Sequence, residues 1–484
     1  MKPKLISLLL SVLVLCTILS SCKIAESIPP SSASSSISRE DEAQSQNSDE
    51  SSIDAPTSSE KEDENPNNTS SKNHTFQNGT SSKKNNSSNK TSDSSSKQDG
   101  SQINSKVSST SSLGKVNTSS LSAQRPAQNI TTLPLKPVQP SEYYGWQQLK
   151  NTGTKAEREA YLAFAEAFGN YEKTVSFDFN VTKQEVEKAF NIYKDDYPQH
   201  FWVGKASYTE RNGYVTTFVL TDIMLDGDME KIRRLEEQMI DKADAILAKV
   251  NGSMPAIERE QIIHDILINN IKYDTTYNAE NSHNVYGALI NGLAVCEGYA
   301  NAFQYLMRRA GIQCILVKGK YNGGEHEWNM ARLEGEYYHI DVTSDDPIMN
   351  GGKTQFLKYN YFNLTEAEIK KDHTIAGNAY NLPEATSLKY NFFRYYGLTA
   401  NSVDVDFVAK AAAFSANNGY EYAYMQFNGV NLSDVVDYIA YNYNAILEKA
   451  NQGITSNKKL VSNGYVDYSK DDDKGVLNLK LNYE

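Results

Sequence analysis

Cys296, His326 and Asp341 are the residues of this 484-residue chain whose types and spacing could do nucleophilic chemistry together. In such a set a thiolate attacks an acyl carbon, an imidazole takes and returns the proton, and a carboxylate fixes the tautomer and orientation of the ring. Cys296, one of only four cysteines, lies in "GLAVCEGYANAF". Behind it Ala300, Phe303, Met307 and Ala310 recur at helical spacing and Gly311 supplies a stop, which puts Cys296 in the first turn of a helix. Free amide donors and the positive end of the helix dipole face that position. They favour a thiolate there, and the Cys296 N–H is placed to donate to an oxyanion. The plainer reading is a small buried hydrophobe, which most free cysteines are.

The segment "EHEWNMARLEGEYYHIDVTSDDP" supplies the other two. Residues His326–Leu333 and Glu336–Thr343 alternate in polarity around Glu334-Gly335, which suits a two-residue hairpin turn. With that loop Leu333 faces Glu336, Trp328 faces Asp341 and His326 faces Thr343. Residues two apart on a strand share a face, so His326 and Asp341 become diagonal neighbours. Their Cβ atoms would lie ~7–8 Å apart or somewhat less, a gap their side chains can close. Other candidates read as structural. His339 shares the face of Asp341 but lies farther from the nucleophile. Asp345-Asp346 reads as a solvated turn, and Cys314, in the strand "QCILVKGK", as buried and inert. His264 and Asp265 are neighbours on a helix and should point in different directions. No pair of His or Cys has zinc-site spacing, so neither metal nor cofactor is expected.

These residues need a scaffold, and the chain is unevenly built. It opens MKPKLISLLLSVLVLCTILSSC, with Lys2 and Lys4 ahead of an apolar run from Leu5 to Ile18. That run is shorter than the ~20 residues a spanning helix needs, so residues 1–21 read as a signal peptide. Leu19-Ser20-Ser21-Cys22 resembles the lipobox of bacterial lipoproteins. The resemblance implies that Cys22 is lipidated and holds the protein at the outer face of the cell membrane; two acyl chains anchor stably where one does not. Residues 22–140 are rich in Ser and Asn, and Phe76 is the only aromatic residue before Tyr143. Such a segment cannot bury enough apolar surface to offset ordering entropy and reads as a disordered tether.

Composition changes at "SEYYGWQQL". An α+β module is expected over 141–254, with a helix opened by the capping box Thr182-Lys183-Gln184-Glu185, a hairpin at Asn212-Gly213 and a long helix stopped by Asn251-Gly252. The core over 255–350 begins with the helix "AIEREQIIHDILINNIKYD". A third module, 351–484, holds a capping box at Thr365–Glu368, helices near 404–415 and 432–450, the strand "YEYAYMQF", and closing strands "KLVSNGYVDY" and "KGVLNLKLNY". The net charge of −12, without a basic stripe, argues against nucleic acid as a partner.

"YGALINGLAVCEGYANAFQYLMRRAGIQC", followed by "GGEHEWNMARLEGEYYHIDVTSDDP", resembles the transglutaminase-like superfamily, in particular the branch found in exported bacterial proteins. The resemblance implies an α+β, papain-like core: a helix-start cysteine packed on an antiparallel sheet, here flanked by smaller α+β modules. It also implies Cys296 as nucleophile, His326 as base and Asp341 as orienting acid. Many relatives carry tryptophan where this chain has Ser344, which bears on the pocket wall. The expected activity is acyl transfer on peptide or protein amides through a Cys296 thioester. Water as acceptor gives a cysteine peptidase or amidase, and a lysine amine gives a cross-linking transglutaminase; hydrolysis is favoured because nothing marks a lysine channel. Cell-wall or surface proteins are the expected substrates. The alternative is a non-catalytic surface protein that keeps the fold.

Overall fold

The computed structural model describes residues 72–75, 133–221, 223–346, 357–464 and 466–484. The expected signal peptide, Cys22 and nearly all of the tether lie outside them. One short piece of the tether does not. Lys72–Thr75 (β1) pairs antiparallel with Ala206–Arg211 (β3), where composition suggested no structure. A sheet edge offers unpaired N–H and C=O groups to any extended segment. Among the described residues, no helix is long and apolar enough to cross a membrane.

The N-terminal unit packs three helices on a sheet of order β1-β3-β4-β2. The helices are Tyr144–Thr152 (α1), Lys155–Gly169 (α2) and Lys183–Asp196 (α3); the remaining strands are Thr174–Ser176 (β2) and Tyr214–Leu220 (β4). Thr182 caps α3 reciprocally with Glu185, as its spacing suggested. Asn212 and Gly213 both have positive φ, which a tight hairpin turn requires. Phe164, Phe190, Tyr193 and Phe218 anchor a core of this unit's own. The long helix Met229–Leu247 (α4) leads out of it.

The central unit begins with Ala256–Asn270 (α5). A two-stranded parallel pair, Lys272–Tyr273 (β5) and Leu293–Ala294 (β6), then aims the chain into Cys296–Arg309 (α6). Next come Cys314–Tyr321 (β7), Gly324–Leu333 (β8), Glu336–Ile340 (β9) and a single helical turn, Val342–Asp345 (α7). After the capping-box turn Glu366–Ile369 (α8), His373–Ile375 (β10) completes an antiparallel sheet of order β10-β7-β8-β9. One face, with Cys314, Ala331 and Leu333, joins the core around Phe303 of α6. The other, with Ile315, Val317, Trp328 and Met330, is covered by Tyr361, Leu364 and Ile369. Both faces are therefore covered along most of their length.

The C-terminal stretch adds Phe392–Tyr395 (α9), Thr399–Ala400 (β11), Val405–Asn417 (α10) and Tyr422–Phe427 (β12). Leu432–Tyr441 (α11), Tyr443–Gly453 (α12), Tyr468–Asp471 (β13) and Val476–Lys480 (β14) follow. Its core is continuous with that of the central unit, since Ile263, Phe303, Val408 and Leu477 belong to one cluster. Two expectations need correcting. The helix near 432–450 is broken at Asn442, whose amide turns back to donate to the Tyr438 carbonyl and competes with the helical ladder. "KLVSNGYVDY" is not a strand along its length; β13 begins only at Tyr468, beyond the Gly464 turn.

Candidate active site

Helix α6 begins at Cys296, with extended Val295 before it. The cysteine is partly buried, and among the described residues its N–H donates no backbone hydrogen bond. Cys314, the other cysteine of the described region, lies fully buried in β7, and burial pushes its thiol up. Both are free.

The β8–β9 hairpin turns at Glu334-Gly335, both with positive φ, and pairs Leu333 with Glu336 through to Asn329 with Ile340. Pairing stops there. Asp341 is not opposite Trp328 in a ladder but caps α7, and Thr343 lies in that turn rather than opposite His326. The faces survive the change. His326 Nε2 stands 2.8 Å from Asp341 Oδ2, and the Cys296 thiol lies near enough to the ring to help raise its pKa. With Nε2 taken by the carboxylate, Nδ1 is the nitrogen left for sulfur. Burial alone would lower the His326 pKa. The charge and hydrogen bond of Asp341, with help from Cys296, outweigh it and hold the ring up at about 10. Asp341 is fully buried, which would raise its pKa; His326 and His373 outweigh that and keep it well below the usual carboxylate range.

Ser344 takes part directly. Its N–H donates to Asp341 Oδ1 at 3.1 Å and its hydroxyl to Oδ2. The residue that departs from the family pattern thus holds the carboxylate rather than leaving a gap beside it.

His373 was not foreseen. Its Nε2 lies 3.1 Å from the same Asp341 oxygen and its Nδ1 2.6 Å from Asp372 Oδ1. The ligand atoms of His326, Asp341 and His373 lie within 4.8 Å of one another, the one such grouping among the described residues that could hold a metal ion. Hydrogen bonding between the rings and the carboxylate accounts for the closeness without one. Tyr273 was also missed. It stands near enough for the charges of Cys296 and Asp341 to add to burial in raising its phenol.

The remaining candidates are structural, though not always as expected. His339 is buried and accepts from Trp328 Nε1 at 3.0 Å; burial and the charge of His373 lower its pKa to about 3. Asp345 and Asp346 are not solvated. Asp345 is wholly buried, 3.2 Å from His264 Nε2, and Asp346 accepts from Tyr299 at 2.6 Å. His264 and Asp265 do not diverge, since Asp265 Oδ1 turns back to within 3.0 Å of His264 Nδ1. Burial opposes the imidazolium here, but the two flanking carboxylates prevail and hold His264 at about 9.

A polar cavity of about 130 Å³ opens on the face of β8 opposite His326, and neither Cys296 nor His326 lines it. Glu297 and Glu327, each next in sequence to one of the pair, line it, and the end of α3 closes it with Lys194 and Asp195. Lys318 is tied to Asp195 at 2.5 Å and His283 to Glu297 at 3.0 Å. Burial and the charge of Glu297 raise Glu327 to about 8.

Over part of its length the chain is similar to known proteins. Residues 242–342 match the transglutaminase-like superfamily, a span that includes Cys296, His326 and Asp341. Kyphoscoliosis peptidase of Mus musculus is 29% identical over 135 residues, covering 24% of this chain and 20% of the relative. The Homo sapiens protein of that name matches to the same extent. The chain therefore spans about a fifth of the length of these curated relatives. A solved structure described as a TGase is 14% identical, with a TM-score of 0.21, over 38% of this chain and 52% of its own.

Proposed function

We propose that the transglutaminase-like domain of this chain is an enzyme of acyl transfer, acting on peptide or protein amides through Cys296, His326 and Asp341. The observation that carries the reading is a His326 ring bonded at 2.8 Å to the buried Asp341 carboxylate, with the Cys296 thiol close enough to add to its raised pKa. His326, held at about 10, already carries the thiol proton near neutral pH as sulfur attacks the amide carbon. The Cys296 N–H at the start of α6 donates to the oxyanion. The C–N bond then breaks, and the imidazolium gives its proton to the departing amine, leaving a thioester. In the second half His326 takes a proton from the acceptor, the new acyl bond forms and the thiol is restored.

Water as acceptor makes the protein a cysteine peptidase or amidase, and a lysine amine makes it a transglutaminase. The word peptidase in the name of the mouse and human relatives favours hydrolysis. Incubating the chain with bacterial surface proteins and a labelled primary amine separates the outcomes. Cleavage products are expected. Labelled adducts without cleavage would move the activity to cross-linking, and neither would leave a non-catalytic protein that keeps the fold.

Anchoring is a separate proposal, motivated by Leu19-Ser20-Ser21-Cys22 at the end of the short apolar run. Lipid on Cys22 would hold the enzyme at the outer face of the bacterial membrane. Cys22→Ser is expected to move the protein out of the membrane fraction. Equal retention of variant and wild type would rule out lipidation as the anchor.

A further inference from the structure

We propose that His373 is a positioning residue for His326, clamping Asp341 and tying it, through Asp372, to Lys474 of the C-terminal hairpin. The inference rests on the reading of Cys296, His326 and Asp341 given above.

The chain of contacts is continuous. Asp341 Oδ2 meets His326 Nε2 at 2.8 Å and His373 Nε2 at 3.1 Å. His373 Nδ1 meets Asp372 Oδ1 at 2.6 Å. The other Asp372 oxygen accepts from Lys474 Nζ at 2.5 Å and from the Tyr361 hydroxyl at 2.8 Å. Both ring nitrogens of His373 face carboxylate oxygens. Only a doubly protonated ring donates to both, so His373 is an imidazolium between two anions.

Strand register puts it there. His326 pairs with Gly319 of β7, and Gly319 pairs with Ile375 of β10. His373, two residues from Ile375, shares that face. The close approach depends on Gly319, where a Cβ would stand 2.0 Å from the Thr374 carbonyl oxygen and 2.8 Å from Trp328. Lys474 sits in the turn between β13 and β14, a place where a lysine ordinarily reaches water. Instead its side chain is only 8% exposed, lying over the Tyr361 ring with the ammonium directed at Asp372.

Two consequences follow for His326. The carboxylate is fixed at Oδ2 by His373 and at Oδ1 by the Ser344 N–H, so the ring it orients has one resting position. The His373 charge, its ring centroid 5.4 Å from that of His326, also offsets part of the pull of Asp341. The groups facing His373 are Asp341 at the start of α7, His326 and Trp328 of β8, His339 of β9 and Tyr321 of β7. Tyr361, Asp372 and, beyond Asp372, Lys474 complete the set.

The test is a titration of the full chain carrying ¹⁵N-labelled histidine, followed at the His326 ring, alongside iodoacetamide modification of Cys296. In His373→Gln a positive neighbour is lost, so His326 should give up its proton about one pH unit higher. Cys296 modification should slow by about tenfold to a hundredfold as the ring loses its fixed orientation. Lys474→Met, at the far end of the chain of contacts, should move both in the same direction by less, and it serves if His373→Gln does not fold. A folded variant whose His326 titrates as in wild type, or lower, overturns the proposal. Should wild-type Cys296 react no faster than a cysteine in the unfolded chain, the enzyme reading fails, while the His326 titration still decides the role of His373.

Discussion

Cys296→Ala and His326→Ala should each abolish acyl transfer, by about 10⁶-fold, and the double variant should be scarcely worse than either. The reason is that the two side chains perform one step. Without sulfur no thioester forms. Without the imidazole the thiol proton has nowhere to go, and the departing amine has no acid to protonate it. The ring nitrogen not held by Asp341 is the one left to serve sulfur, so the function of each depends on the other being present. Rates measured in the amine and cleavage assay, normalised to folded protein, check this. Cys314→Ser is the control. That residue is wholly buried in β7 on the face packed against α6, so the change should lower stability and leave the rate per folded molecule unchanged. A double variant whose loss equals the product of the two single losses would mean that the residues act independently, and the unit would be misassigned.

What the sequence made legible is the part of the site set by local rules. A helix start and its stop bracket Cys296, and the turn at Glu334-Gly335 determines which face each β8 residue takes. That was enough to bring His326 and Asp341 together, even though β9 ends at Ile340 and Asp341 caps α7 instead of continuing the strand. The parts that stayed hidden depend on partners distant in sequence. His373 lies on a three-residue strand whose period is too short to read, and its value comes from contact with Asp341, 32 residues away. Asp345-Asp346 has the composition of a surface turn. Its burial is made possible by His264, 81 residues upstream, which compensates the Asp345 charge. Lys474 carries no local sign that it points inward. The tether piece Lys72–Thr75 follows the same logic in reverse, since its pairing is supplied by the open edge of β3 rather than by its own residues.

Asp341→Asn should cost about 10⁴-fold in rate, by analogy with the orienting acid of serine triads. Asparagine preserves the size of the side chain and can still accept from the Ser344 N–H. With its oxygen toward that N–H, its NH2 faces both rings and accepts from neither, so His326 can settle in the tautomer that leaves no base facing sulfur. The pH dependence gives a second readout. In wild type Asp341 overcomes burial and holds His326 at about 10. With the charge gone and burial remaining, the imidazolium should lose its proton at lower pH. Because that proton is needed by the departing amine, the basic limb of kcat/KM should move down. The same limb should move up in His373→Gln, where a cation is removed instead of an anion. Stability needs its own measurement, since Asp341 is buried and accepts from both histidines and from Ser344. Its pKa is held well below the ordinary value, so its contribution to stability is in force above about 4 and fades only as pH falls through the lowered value. The melting-temperature gap between wild type and variant should therefore be widest near neutrality and narrow in strong acid. A loss of less than tenfold in rate, or basic limbs that move the same way in the two variants, would remove Asp341 from the role assigned to it.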